Sequence, residues 1–444
     1  MSDTWWCEHA WLGGHTVAAA VTVTVADGVI TGVEPDSPRR GDVLRGLVIP
    51  GAANTHSHAF HRALRARTQR DRGSFWTWRE LMYAVAGRLD PDTYFALARA
   101  VYAEMALAGH TVVGEFHYLH HDPAGRHYDD PNAMGRALIE AAGAAGIRIT
   151  LLDACYLRAD VDGAPLAAGP QRRFGDGDAD TWARRVQALR TGTPGYALVG
   201  AAVHSVRAVP PAEMAAVAAW AEHHRVPLHV HSSEQTAEVD RCLAVHGRTP
   251  TALMREHGVL GERTTAVHAT HLTDRDIADL RDTGTGVCFC PTTERDLGDG
   301  VGPAPALLEG PFSLGSDSHA VIDPFEEARA VELDERLVSR RRGVLPAARL
   351  LHAATAGGHA ALGWPDAGTL SVGARADLVA LDLESVRTAG GGATVENVVF
   401  GCTAADVTDV IVDGRPVVTD HRHLDVPDTG RALADAVAAV LEDT

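Results

Sequence analysis

The stretch LVIPGAANTHSHAFHRAL, residues 47–64, begins as an apolar run and ends among three histidines, His56, His58 and His61. Apolar residues on both faces suit a strand covered on each side, as in a parallel sheet wrapped by helices. Side chains alternate along a strand, so His56 and His58 share a face and can reach one ion. In a chain with 24 histidines a His-x-His pair is equally compatible with packed or surface imidazoles. The rest of the chain decides between them.

Seven more runs of the same character follow: TVVGEFHY (111–118), IRITLLDACY (147–156), YALVGAAVHS (196–205), PLHVHSSE (227–234), TAVHATHL (265–272), TGVCFCPTT (285–293) and FSLGSDSHA (312–320). Helical patterns separate them. The segment 90–109, for example, opens on Asp90-Pro91 and stops at Gly109, the asymmetry that helix ends favour. Eight strand–helix units across residues 49–364 predict an α/β fold, a (β/α)8 TIM barrel, with an open doubly wound sheet as the competing arrangement. The flanks differ. Residues 15–36 alternate and turn at Asp27-Gly28, and residues 407–418 turn at Asp413-Gly414, both hairpin signals. Residues 1–48 and 365–444 are therefore expected to combine into a small composite β-sandwich, with a terminal helix from Thr429.

The net charge of -18 disfavours nucleic acid and anionic membranes as partners. An anionic small substrate would need local arginines. The start, MSDTWWCEHAW, has no signal-peptide pattern, and no apolar run approaches the roughly 20 residues of a membrane span. Cys7, Cys155, Cys242, Cys288, Cys290 and Cys402 form no C-x-x-C pair, so reduced thiols in a cytoplasmic protein are expected. The chain contains no lysine; every one of its 40 cationic side chains is an arginine.

The C-terminal ends of the eight runs carry the polar residues: His56 and His58; Glu115, His117 and Tyr118; His204; His229 and His231 followed by Glu234; His268 and His271; Asp317 and His319. In a barrel these ends converge on one mouth, where catalytic groups sit. Taken singly, His268 reads as a core histidine and Asp317 as a helix cap. Their coincidence at the ends of runs one, five, six and eight favours a metal site.

This constellation resembles the amidohydrolase superfamily, in its deaminase-like branch, over the whole chain. The resemblance implies metal ligands at His56, His58, His231 and Asp317, a proton-shuttling glutamate at Glu234 and a substrate-facing histidine at His268. Two-metal members bridge their ions through a carboxylated lysine or another acidic residue. With no lysine, and with strand four ending in GAAVHS, one divalent ion per subunit is expected, zinc being the first choice for such ligands. The implied chemistry is hydrolytic release of ammonia from a C=N carbon, with Glu234, His268 and Asp317 handling protons and charge.

Further motifs, SFWTWRELMY (74–83), GEFHYLHHD (114–122), HSVRAV (204–209) and CPTTERDLGDG (290–300), resemble the formimidoylglutamate deiminase family. That likeness implies a small dicarboxylate substrate, N-formimino-L-glutamate, held by Arg79 and Arg207 with contacts from Tyr118 and His204, and a homodimeric assembly. Guanidinium suits bidentate capture of carboxylates. A related aminohydrolase acting on a purine, pyrimidine or triazine ring is the alternative, and a flat neutral ring has no use for two arginines. A catalytically dead binding relative would have lost the proton-handling residues. Where many members read HSHAFQRA, this chain has His61 in place of the substrate-contacting glutamine. The segment TTERDLGDG (292–300) brings Arg295 and Asp296 towards the pocket region. His229 is expected to support the site from the barrel interior, Cys288 and Cys290 to be small core residues, and Trp76 and Trp78 to have no role beyond packing the loop. His120, His121, His223, His224, His421 and His423 are expected to be solvated.

Overall fold

The computed structural model describes residues 2–69 and 75–441; of the stretch 74–83, Ser74 and the side chains of Phe75 and Trp76 lie outside them. Four strands come first: β1 Ser2–Trp11, β2 Val17–Ala26, β3 Val29–Glu34 and β4 Asp42–Pro50. Eight follow from the runs read above: β5 Ala52–Ser57, β6 His110–His117, β7 Arg148–Cys155, β8 Ala197–Val203, β9 Leu228–Ser232, β10 Thr264–His268, β11 Gly286–Phe289 and β12 Phe312–Leu314. These eight pair in chain order, all parallel. A parallel bridge between Ser57 and Asp317 closes the ring. The TIM barrel is present.

Strand burial explains the apolar runs: nearly every residue of β5 to β12 is buried, with helices outside and packed side chains within. The helix Pro91–Leu107 starts where its capping predicts, with Asp90 and Thr93 forming a reciprocal capping box and Pro91 at the first position. Near the end of the chain come β13 Leu378–Leu381, β14 Val407–Val412, β15 Arg415–Thr419 and β16 Arg422–His423. They join β1 to β4 in one mixed sheet, ordered β16-β15-β14-β13-β4-β1-β2-β3. Its two Asp-Gly turns meet, so that a Cβ on Gly28 would lie 3.0 Å from the Asp413 carbonyl. The sheet is thereby folded over a second core that includes Trp5, Val23, Ile30, Leu378 and Ile411. The terminal helix runs Thr429–Leu441.

A buried ion pair ties this sheet to the barrel. Arg148 on β7 donates to both oxygens of Asp377 and, over 3.0 Å, to Asp413; Thr111 on the neighbouring strand donates to Asp377 over 3.2 Å. Burial alone would raise Asp377, but Arg148 and His359 outweigh it and hold the carboxyl well below its ordinary range. The stabilisation it provides is therefore present above about pH 4 and lost as pH falls further. Arg148→Ala, which strands Asp377, is expected to cost about 3–5 kcal/mol at neutral pH. Urea midpoints will show this as a gap from the unaltered protein that narrows below about pH 4.

Candidate active site

The barrel mouth brings distant residues within bonding range. His56 Nε2 lies 3.1 Å from His231 Nε2 and 3.3 Å from Asp317 Oδ1; His58 Nε2 also lies 3.3 Å from Asp317 Oδ1. Those spacings match the edges of a tetrahedral shell, about 3.3 Å for zinc–nitrogen bonds of about 2.0–2.1 Å. His58 Nδ1 donates to the Phe116 carbonyl and His231 Nδ1 to the His204 carbonyl, each over 2.9 Å. A carbonyl can only accept, so both Nε2 atoms turn their lone pairs to the common centre. Burial pushes His56 down to about 3 and lowers His58 and His231 as well, giving the neutral imidazoles that metal binding needs. Asp317 moves the other way from its burial: the hydrogen bond to His56 and the neighbouring imidazoles keep its carboxyl well below the ordinary range. These residues fit a divalent ion.

His268 sits beside this set, with Nε2 at 4.0 Å from Asp317 and 3.9 Å from Glu234, and Nδ1 at 3.3 Å from Glu294. Burial opposes its charge, yet Glu234, Glu294 and Asp317 raise it well above 6.5. The ligand-capable atoms of His56, His231, His268 and Asp317 lie within 4.8 Å of one another, as do those of His58, His61 and Asp317. Two of these residues carry left-handed backbone, with φ of +69° at His268 and +42° at Asp317. Non-glycine residues adopt this conformation at a cost, and it concentrates at functional sites. Gly315 allows the closing approach: a Cβ there would meet His56 at 2.8 Å.

One cavity is lined by His58, His231, Asp317, Glu234 and His268 together with His61, Arg79, Tyr118, His204 and Arg207. Arg207 lies between two carboxylates, 3.4 Å from Glu234 and 3.7 Å from Glu238. Arg79 stacks over Tyr83, its guanidinium carbon 5.5 Å from the ring centre. His61 Nε2 and the Tyr118 hydroxyl are 3.0 Å apart, and Trp78 packs edge-on against His61. Every site residue read from the sequence either lines this cavity or, for His56, lies beside its ligand-capable atoms.

Of the remaining expectations, some hold and others need correction. Arg295 turns away to Asp334 and Glu326, and Asp296 binds Gln69. Glu115, His117, His271 and His319 end their strands or follow them but do not line the cavity. His120, His121 and His423 are buried, donating to the carbonyls of Ala154, Gly175 and Ala145; His223 and His421 are exposed and His224 partly so. His229 is buried and bonded to the Ala361 carbonyl, and Cys288 and Cys290 pack with Val267. Glu238 and Glu294 escaped the sequence reading. Each stands on a helix that follows a strand, beside a residue that drew attention for its charge or motif.

Residues 47–417 match the model of the amidohydrolase family, and the chain belongs to that family. It is 40% identical over 434 residues to the formimidoylglutamate deiminase of Pseudomonas aeruginosa, covering 94% of this chain and 95% of that one. An amidohydrolase from Brucella melitensis, solved by crystallography, superposes with a TM-score of 0.92 at 34% identity, over 99% of this chain and 100% of the other. An adenosine deaminase from Xanthomonas campestris with bound zinc shares the fold at 24% identity, with a TM-score of 0.84 over 98% of this chain and 97% of the other.

If the four-residue set holds an ion, chelation will lower the melting temperature of the unaltered protein, since a ligand bound only to the folded state stabilises it. His231→Ala protein is expected to carry little ion by elemental analysis and to melt at a temperature that chelator leaves unmoved.

Proposed function

We infer that this chain is a metal-dependent hydrolase that deiminates N-formimino-L-glutamate to N-formyl-L-glutamate and ammonia, a step of histidine degradation. The observation that carries this reading is the presence of two guanidiniums, Arg79 and Arg207, in the cavity that holds the histidine–aspartate set. Two carboxylates on one small substrate account for both. The identity to a formimidoylglutamate deiminase over nearly the full chain supports the same reading.

In this reading His56, His58, His231 and Asp317 hold one ion per subunit. Zinc is favoured by the ligand types and by the zinc in the adenosine deaminase relative. When bound, the ion supplies an acidified water and polarises the carbon under attack. Asp317 accepts a proton from the attacking water. Glu234, the proton shuttle, delivers a proton to the departing nitrogen, and Asp317 returns its own proton as the site resets. His268, whose pKa three carboxylates raise, faces the charge that develops on the substrate. Arg79 and Arg207 grip the two carboxylates, while His61, Tyr118 and His204 contact the remainder. The six cysteines are all buried and free of disulfides, which supports a reducing compartment and thus the cytoplasm. A homodimer is proposed from the family resemblance. Among the described residues, no helix is long and apolar enough to cross a membrane.

Purified, zinc-loaded protein is expected to release ammonia from N-formimino-L-glutamate and not from guanine, cytosine or adenosine; no release from the first would overturn the assignment. Glu234→Gln should retain its metal but lose about 10²–10⁴-fold in kcat, and wild-type rates would remove Glu234 from proton transfer. For Arg207→Ala, losing a charged anchor should raise KM roughly 10- to 100-fold. An unchanged KM in steady-state assays would place Arg207 outside the substrate site.

A further inference from the structure

Behind the proposed ligands, on the side away from the cavity, lies a second set of buried polar residues. Ser57 stands between His56 and His58 on β5, so its side chain takes the opposite face. In register with it on β6 is Glu115. Ser316 and His319 flank Asp317. Asn54, Ser57, Glu115, Ser316 and His319 are all buried, and none lines the cavity.

Their hydrogen bonds form one chain, and its direction can be worked out from the donors. Asn54 Nδ2 can only donate, and it lies 2.6 Å from Ser316 Oγ. Asn54 Oδ1 in turn accepts from the Ser316 amide over 2.9 Å. The Ser316 hydroxyl proton is then available to His319 Nδ1, 2.9 Å away. That bond places the His319 proton on Nε2, which faces Ser57 Oγ at 3.1 Å. Ser57 passes its own hydroxyl proton to Glu115 Oε2 over 2.6 Å. The other Glu115 oxygen accepts the Ala59 amide over 2.8 Å. The chain thus begins on β5, crosses to the turn after β12, returns to β5 and ends on β6.

We propose that Glu115 is the positioning residue of the metal centre: its carboxyl anchors the His56–His58 strand end through Ser57 and Ala59, and the Asp317 turn through Ser57, His319 and Ser316. Two further features agree. The turn that Glu115 reaches has left-handed backbone at both Asp317 and His319, φ +42° and +59°, a conformation that needs support from outside the turn. The chain also runs beside the backbone bonds of the barrel seam, Asp317 N to His56 O at 2.9 Å and His58 N to Asp317 O at 3.1 Å. Glutamine at 115 could keep one bond to Ala59, but its amide would donate to Ser57. The chain would then run in reverse, and a proton on Ser316 would be left without an acceptor.

This inference rests on His56, His58 and Asp317 being ligands, and the test separates the two claims. The unaltered full-length chain, Glu115→Gln and Ser57→Ala are loaded with zinc for chelator competition and with cobalt(II) for absorption spectra. Folding is checked by circular dichroism. Both variants are expected to bind the ion at least about tenfold more weakly, with shifted cobalt bands, because a displaced ligand changes the ligand field where a general loss of stability does not. Folded variants that match the unaltered chain in affinity and spectrum overturn the role of Glu115. Should Glu115→Gln fail to fold, Ser57→Ala alone decides, since it removes the same link with a smaller change. An unaltered chain that binds no ion overturns the metal-centre reading itself.

Discussion

The structure turns on the contact at which β12 meets β5. Strand β12 has three residues, too few to seal a barrel by length alone. The closure is completed beyond its end, where the Asp317 amide bonds the His56 carbonyl and the Asp317 carbonyl accepts from His58. The bonds that close the ring therefore belong to the residues that converge at its mouth. Had the closure fallen one residue earlier, the alternation of the strand would have turned His56 and His58 outwards and Ser57 in. Gly315 makes the approach possible, and the left-handed Asp317 aims its carboxylate back across the opening.

The same crowding sorts the charges. Burial lowers the pKa of three imidazoles, His56, His58 and His231, while His268 beside them is raised by Glu234, Glu294 and Asp317. The first direction suits nitrogens that bind a metal, and the second suits a group that holds its proton near developing negative charge. The chain as a whole is strongly acidic, and the cavity offsets that field locally with Arg79 and Arg207. Arg207 lies between Glu234 and Glu238, which hold its guanidinium at the cavity wall. Its neighbours also restrain its long side chain, which leaves it less rotamer freedom.

Much of this was legible in the linear chain because strands and metal ligands leave periodic traces. All eight barrel strands stand where apolar runs predicted them, and the mouth residues from runs one, five, six and eight do meet. What escaped has a common physical origin. A helix after a strand turns by about 100° per residue, so Glu294 faces His268 while its neighbour Arg295 faces Asp334. Nothing in TTERDLGDG marks which of the two turns inward, so the sequence left open whether Arg295 reaches the pocket. The burial of His120, His121 and His423 was equally invisible. Each sits among polar residues in sequence, but each donates to a carbonyl from another segment, so long-range closure rather than local polarity decides its environment. The terminal strands showed their hairpin turns plainly. That those turns touch, and fold one sheet over its own core, depends on pairings between residues more than 300 positions apart.

His61 shows how one substitution can leave an architecture intact and still alter a site. Its Nε2 is committed to Tyr118, and Nδ1, buried, makes no hydrogen bond among the described residues. Trp78 closes one side of the ring and His58 another, so the imidazole cannot rotate to exchange its two nitrogens without displacing an aromatic neighbour. A primary amide in that place presents a donor and an acceptor together; an imidazole so fixed presents one nitrogen, whose character is set by the direction of the Tyr118 bond. If the tyrosine hydroxyl donates, Nδ1 carries the proton and is a donor, suited to a carboxylate. If it accepts, Nδ1 is a bare lone pair, suited to an amide or amidine proton. The hydroxyl of Tyr118 has Met82 Sδ as its other neighbour, at 3.8 Å, and sulfur is the weaker acceptor. The hydroxyl proton is therefore better spent on His61, which leaves Nδ1 as the donor and favours an anionic group beside it.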